Sequence, residues 1–227
     1  MYKLEIDKLK WEKVALAVGD TNPIHYLESG AICPGVYLFS EAEKILRNDR
    51  RFEMPLNIKG NFVSWVCDRD CLNLDKNYTE NKSVFSYFKN NEKIGDFEFE
   101  KTVTSNNYQF NGNIEKARSI VEKDLESFNE ALEIKNNNRV YSVFAFGRVL
   151  ERFLIGRGGS LLSNIEFDFY KELNLGELLV EIEVDSNTRK RGRKEITDYL
   201  IRGKIIQSNE VVGMGFGKAQ YKVVRNS

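Results

Sequence analysis

Leu56-Asn57-Ile58-Lys59-Gly60-Asn61-Phe62 has an echo in Ser163-Asn164-Ile165-Glu166-Phe167-Asp168-Phe169, which starts 107 positions later. Few residues are identical; what recurs is the order of features around them. Glu43-Lys44-Ile45-Leu46 precedes the first run, and Glu151-Arg152-Phe153-Leu154, offset by 108, precedes the second. Each copy reads as an apolar helix, a short basic or Gly-bearing connection, an Asn-Ile strand start and then a series of strands. Self-similarity at a long fixed offset indicates a duplicated unit.

The strands follow from side-chain alternation. Residues 83–88 and 94–103 alternate apolar and polar side chains around Lys89-Asn90-Asn91-Glu92-Lys93, which reads as a hairpin. The second copy repeats this with strands at 178–184, 195–206 and 211–223, turning at 187–194 and at Gln207-Ser208-Asn209-Glu210. A long helix on an antiparallel sheet is an α+β layer architecture. Residues 104–113 are polar and turn-rich, a linker between an N-terminal unit (1–104) and a C-terminal unit (114–227). The stretch 114–134 reads as a helix that opens the second unit.

Composition narrows the function. Of 227 residues, 41% are hydrophobic and 12% aromatic, enough for a packed core. Lys plus Arg and Asp plus Glu both number 34, so no net field favours nucleic acid or a membrane surface. There is no apolar run long enough to span a bilayer, and the first residues lack a signal-peptide pattern, so a soluble, cytoplasmic protein is expected. Cys33, Cys67 and Cys71 form no even framework, and Cys67 and Cys71 without a nearby His are a poor zinc set; no metal is expected. A reactive Cys33 thiolate is the minor reading of these thiols.

Chemistry concentrates in Gly19-Asp20-Thr21-Asn22-Pro23-Ile24-His25, which holds the only histidine of the chain. Gly tolerates positive φ, Asx side chains close local turns and Pro fixes its own φ, so this run is a short, stiff turn after the helical 9–18 segment. It brings a carboxylate, Asp20, near an imidazole whose ordinary pKa lies close to neutrality. An acid and a base sharing one water is the functional reading of that spacing, and a surface turn with an incidental histidine is the alternative.

The run Gly-Asp-x-Asn-Pro-Ile-His resembles the hydratase-2 motif of MaoC-like (R)-specific enoyl-CoA hydratases and dehydratases. The similarity continues through Cys33-Pro34-Gly35-Val36-Tyr37-Leu38-Phe39, a small-residue start to a long buried helix, and covers roughly residues 5–103. The resemblance implies a tandem (double) hot-dog fold, each unit an antiparallel sheet wrapped around a central helix. It also implies interconversion of trans-2-enoyl and (R)-3-hydroxyacyl thioesters on coenzyme A or acyl carrier protein, with no further cofactor. Asp20 and His25 would be catalytic, and Asn22, Gly35 and Val36 would bind substrate and the developing oxyanion. A hot-dog thioesterase and a non-catalytic acyl-thioester-binding or assembly subunit are the alternatives, and a homodimer is open to any of them.

The pattern departs from the family in places. The glycine is usually preceded by His and followed by Met, where this chain has Pro34 and Val36. Its interval from the motif histidine is a shortened ten residues. Pro-Gly-Val followed by Glu41 instead resembles the 3-hydroxyacyl-carrier-protein dehydratases, which makes Glu41 an alternative acid and Ser40 a weaker polar candidate. The second copy has Glu133 where the offset would place a partner of His25, and no motif around it. Arg189, Lys190 and Arg191 belong to a basic cluster read as a solvated hairpin turn, with contact to carrier phosphates as the functional alternative. The run Gly213-Met214-Gly215-Phe216-Gly217-Lys218 lies in a strand pattern without a following helix, so it is not a phosphate loop.

Overall fold

The computed structural model describes residues 2–49, 51–101, 110, 114–135, 139–154, 157–191 and 194–224. Its elements are β1 (Tyr2–Glu5), α1 (Lys8–Val18), a short 3-10 turn (Pro23–His25), α2 (Gly35–Asn48), β2 (Leu56–Phe62), β3 (Cys71–Tyr78), β4 (Lys82–Lys89) and β5 (Glu92–Glu100). The second half contributes β6 (Ile114–Lys116), α3 (Glu122–Ala131), α4 (Ser142–Leu154), β7 (Leu161–Phe169), β8 (Leu179–Arg191), β9 (Lys194–Gln207) and β10 (Glu210–Val224).

All ten strands join one sheet in the order β1-β3-β4-β5-β2-β7-β10-β9-β8-β6. The second five repeat the first five in reverse, as a two-fold axis through the sheet requires. The echoed sequences are the two central strands, which pair antiparallel from Leu56↔Phe169 to Asn61↔Asn164. Lys59 lies opposite Glu166, its own counterpart in the repeat, with an ion pair of 3.3 Å. The pseudo-two-fold axis therefore passes between these two residues. On either side of it, Asn57 Nδ2 donates to Asp168 Oδ1 at 2.7 Å and Asn164 Nδ2 donates to Asn61 Oδ1 at 2.6 Å, contacts related by the same axis.

The helices form for local reasons and stay for tertiary ones. Asp7 caps α1 by accepting the Leu9 N–H, and Gly19 at φ 91° ends it by donating to the Ala15 carbonyl. The central helices α2 and α4 bury most of their side chains and meet through Phe39 and Phe146, with ring centroids 6.3 Å apart. Phe39 also stacks on Phe97 of β5 at 5.5 Å, and Phe146 packs edge-on against Phe167 of β7 at 5.7 Å. Each such buried ring is worth roughly 1.5–3 kcal/mol, so the two half-cores are held as one.

Two expectations need correction. The 114–134 stretch is not a continuous helix: Ile114–Lys116 is an edge strand on β8, paired Ile114↔Glu181, and the helix covers only Glu122–Ala131. The open edge of β8 supplies backbone partners that three residues of local sequence do not announce. The 187–194 turn is also too long, because β8 runs to Arg191 and β9 starts at Lys194. Polar side chains sustain this ribbon, with Thr188 and Thr197 hydroxyls 3.0 Å apart and Arg189 Nε 3.2 Å from Asp198. The expected linker at 104–113 lies outside the described residues except for Phe110. Among the described residues no helix is long and apolar enough to cross a membrane.

Candidate active site

Asp20 is fixed by the end of α1. Its N–H and that of Gly19 both donate to the Ala15 carbonyl, at 2.8 and 2.9 Å. Asp20 Oδ1 accepts the Asn22 N–H at 3.2 Å, the Asx turn expected of this run. Pro23 starts the 3-10 turn that raises His25, whose N–H donates to the Asn22 carbonyl at 3.1 Å. Tyr26 closes the far side by donating its hydroxyl to the Asp20 carbonyl at 2.6 Å. Burial, and after it the Asp20 charge, pushes the Tyr26 phenol up, so it stays a donor.

The imidazole is oriented by one bond. His25 Nδ1 lies 2.5 Å from the Ile32 carbonyl, which only accepts, so Nδ1 carries the proton. In the neutral ring Nε2 is then left with its lone pair, 3.5 Å from Asp20 Oδ2. Both side chains are buried, Asp20 at 3% and His25 at 6% exposure, yet both line a cavity of about 840 Å³.

The start of α2 faces the same cavity. Gly35 and Val36 line it, and among the described residues neither amide has a hydrogen-bond acceptor. First-turn amides of a helix are orphan donors at its positive end. Glycine lets the helix start lie close to Phe62, since a Cβ at position 35 would sit 2.5 Å from that ring and the ring would have to move. The stretch from Phe62 to Val66 adds lining from the first half, and the second half contributes Leu150, Phe153 and Leu154 of α4 and Leu161 and Leu162 of β7. Polar groups of the long strands, among them Asn187, Asp198, Lys218 and Lys222, complete the lining.

No protein-family model and no curated protein matches the chain by sequence. Solved structures do match. A MaoC-like dehydratase from Phytophthora capsici superposes with a TM-score of 0.62 at 8% identity, covering 95% of this chain and 94% of that one. A Mycobacterium tuberculosis protein with a double hot-dog fold gives a TM-score of 0.61 at 9% identity, covering 97% and 94%. The dehydratase domain of PpsC from Mycobacterium tuberculosis, determined in complex with C12:1-CoA, gives 0.54 at 8% identity, covering 98% and 93%. The chain also matches the full-length peroxisomal multifunctional enzyme type 2 of Drosophila melanogaster, of which it spans 48%, at a TM-score of 0.59 and 10% identity over 96% of this chain.

The chain has a double hot-dog fold. Within the double hot-dog, α2 and α4 are the central helices, and the cavity lies where the two halves meet.

The other candidate residues are placed as follows. Asn22 lines the cavity, but its side chain does not wait for substrate. Its Oδ1 accepts the Gly159 N–H at 2.8 Å and its Nδ2 donates to the Ser160 carbonyl at 2.7 Å, tying the motif turn to the second half. Its expected role in binding thus becomes one of positioning. Glu41 does not line the cavity; it is buried with its carboxylate 2.7 Å from Lys44. Ser40 is spent on its own helix, donating to the Val36 carbonyl at 2.7 Å. Cys33 lines the cavity, and burial pushes its thiol well up, which argues against the reactive-thiolate reading. Glu133 is exposed and pairs with Lys10 at 2.5 Å, away from the cavity. Arg189 and Lys190 are exposed on β8 beyond the lining residues, and Arg191 has no described side chain. The residues that sequence reasoning missed are Phe62 to Val66 and the walls from α4, β7 and the long strands, whose only local signal was ordinary core and strand patterning.

Proposed function

We propose that this protein adds water reversibly to trans-2-enoyl thioesters to give (R)-3-hydroxyacyl thioesters. The observation that carries this reading is the His25 Nδ1 bond to Ile32, so that the neutral ring turns its Nε2 lone pair toward Asp20 Oδ2 across 3.5 Å. A water about 2.8 Å from both atoms, an ordinary hydrogen-bond length, donates one hydrogen to each. Its own lone pair is then free to attack C3. As the C3–O bond forms, one water proton passes to this acid–base pair, and the pair returns a proton to C2. The electrons of the double bond move toward the thioester oxygen during attack, and the unsatisfied Gly35 and Val36 amides suit that charge. Dehydration is the same path reversed. The polar arm of a thioester suits the cavity's polar part, and its acyl chain suits the walls from Leu150, Phe153, Leu161 and Leu162.

Mixing the protein with crotonyl-CoA and with crotonyl carrier protein tests the reading. Loss of the enoyl-thioester absorbance, with (R)-3-hydroxybutyryl product on chiral separation, is the expected result. Release of free thiol together with unsaturated crotonate, and no 3-hydroxybutyryl thioester, would overturn it in favour of a thioesterase, and no change with either carrier or with longer acyl chains would indicate a binding subunit.

A further inference from the structure

Arg148 of α4 is fully buried, yet it is poorly paired for a buried charge. Its Nη2 reaches the Ala17 carbonyl at 3.5 Å, the Ser119 carbonyl at 3.4 Å and Asp124 Oδ2 at 3.3 Å, and its Nη1 lies 3.9 Å from Glu151. Among the described residues, Nε and Nη1 have no hydrogen-bond acceptor. Replacing a whole buried ion pair by packed apolar residues is often neutral or stabilising, so packing alone gives no reason for a charge at this site, although removing one partner of an existing pair is costly. Burial draws the guanidinium pKa down to about 10, which leaves it protonated at neutral pH.

What Arg148 touches supplies the reason. The last turn of α1 has no basic residue of its own, although a helix C-terminus carries a partial negative charge. The second half provides two cations there instead: Arg148, and Arg118, whose Nη2 donates to the Leu16 and Ala17 carbonyls at 2.9 Å each. Asp124 bridges the two, 3.2 Å from Arg118 and 3.3 Å from Arg148. The approach is built for closeness, since a Cβ on Gly19 would lie 2.5 Å from Arg148 Nη1 and one on Gly147 would lie 2.0 Å from the Val18 carbonyl oxygen. Asp20 hangs from this same turn through its bond to Ala15.

We propose that Arg148 is a positioning residue for the Asp20–His25 pair, holding the C-terminal turn of α1 from the opposite half so that Asp20 keeps its distance from His25. This rests on the hydratase reading only for its kinetic consequence. The geometric claim has its own readout, because a chain with one histidine gives one set of imidazole resonances, and Asp20 faces that ring.

The test replaces Arg148 with Met and with Lys in the full chain. Arg148→Met is expected to lower kcat at least tenfold with KM changed less than twofold in protein that stays folded, and to shift or broaden the His25 imidazole signals. Arg148→Lys should restore part of the kcat and move the signals back. Folded Arg148→Met with unaltered imidazole signals would overturn the proposal, as would a folded Arg148→Met with wild-type kcat. If Arg148→Met does not fold, Asp124→Asn, which removes the bridging charge at a partly exposed position, must shift the imidazole signals in the same direction; unmoved signals there overturn it too. A wild-type protein without hydratase activity would sink the functional reading, while the imidazole signals would still decide the role of Arg148.

Discussion

The two halves share one topology and divide its uses. The first half holds Asp20, His25 and the open amides of α2, all on one cavity. The second half, at the position 108 residues on from His25, holds Glu133, an exposed residue paired with Lys10. In exchange it contributes apolar walls, the Gly159–Ser160 backbone that grips Asn22, and the arginines at the end of α1. Duplication copies an arrangement of backbone; chemistry depends on a few side chains that the copy is free to lose. The retained half still relies on the altered one for its geometry.

The sharpest break of this comparison is chemical. Asp20→Asn and His25→Ala are each expected to lower turnover about 100-fold or more, the scale of lost acid–base catalysis, while Glu133→Ala leaves it unchanged. Steady-state rates on crotonyl-CoA decide it, with circular dichroism confirming the fold. Comparable losses from all three would mean that the second half also carries chemistry.

The seam between the halves comes next. Gly147→Ala places a methyl 2.0 Å from the Val18 carbonyl oxygen, and backbone cannot swing aside as a side chain can. A loss of about 1–3 kcal/mol in a denaturant titration is expected, as for overpacking elsewhere. Asn22→Ala leaves the half-buried Gly159 amide and the buried Ser160 carbonyl without their partners and should cost about 1–3 kcal/mol. It should also reduce kcat, because the turn that carries His25 loses its anchor. An Asn22→Ala protein with full stability and full turnover would show that the two halves are not coupled through this turn.

The smallest effect is expected at Glu41. Glu41→Gln keeps the size of the side chain and should change turnover less than about twofold, since its carboxylate serves Lys44 outside the cavity. A loss as large as that of Asp20→Asn would instead move the acid onto α2.

Much of this molecule was legible along the chain because its signals are local. Period-two alternation marked β4, β5, β9 and β10, the Gly-Asp-Thr-Asn-Pro run marked the turn that raises His25, and the 107-residue echo marked the two strands that pair at the pseudo-two-fold axis. The readings that failed were those in which distant backbone overrode composition. Ile114–Lys116 became a strand because β8 offered it an edge, and the polar 187–191 segment stayed extended because β9 lay beside it. The same limit applies to the site. Sequence alone determined that one carboxylate and the only imidazole share a stiff turn. Tertiary structure decided which imidazole nitrogen is held by backbone, Nδ1 on the Ile32 carbonyl, and it occupied the Asn22 amide with a loop 138 residues away. It also decided that Arg148 sits under α1 and that the opposite half lines the cavity. Such contacts join residues remote in the chain, and no period or spacing records them, because they exist only once the core has closed.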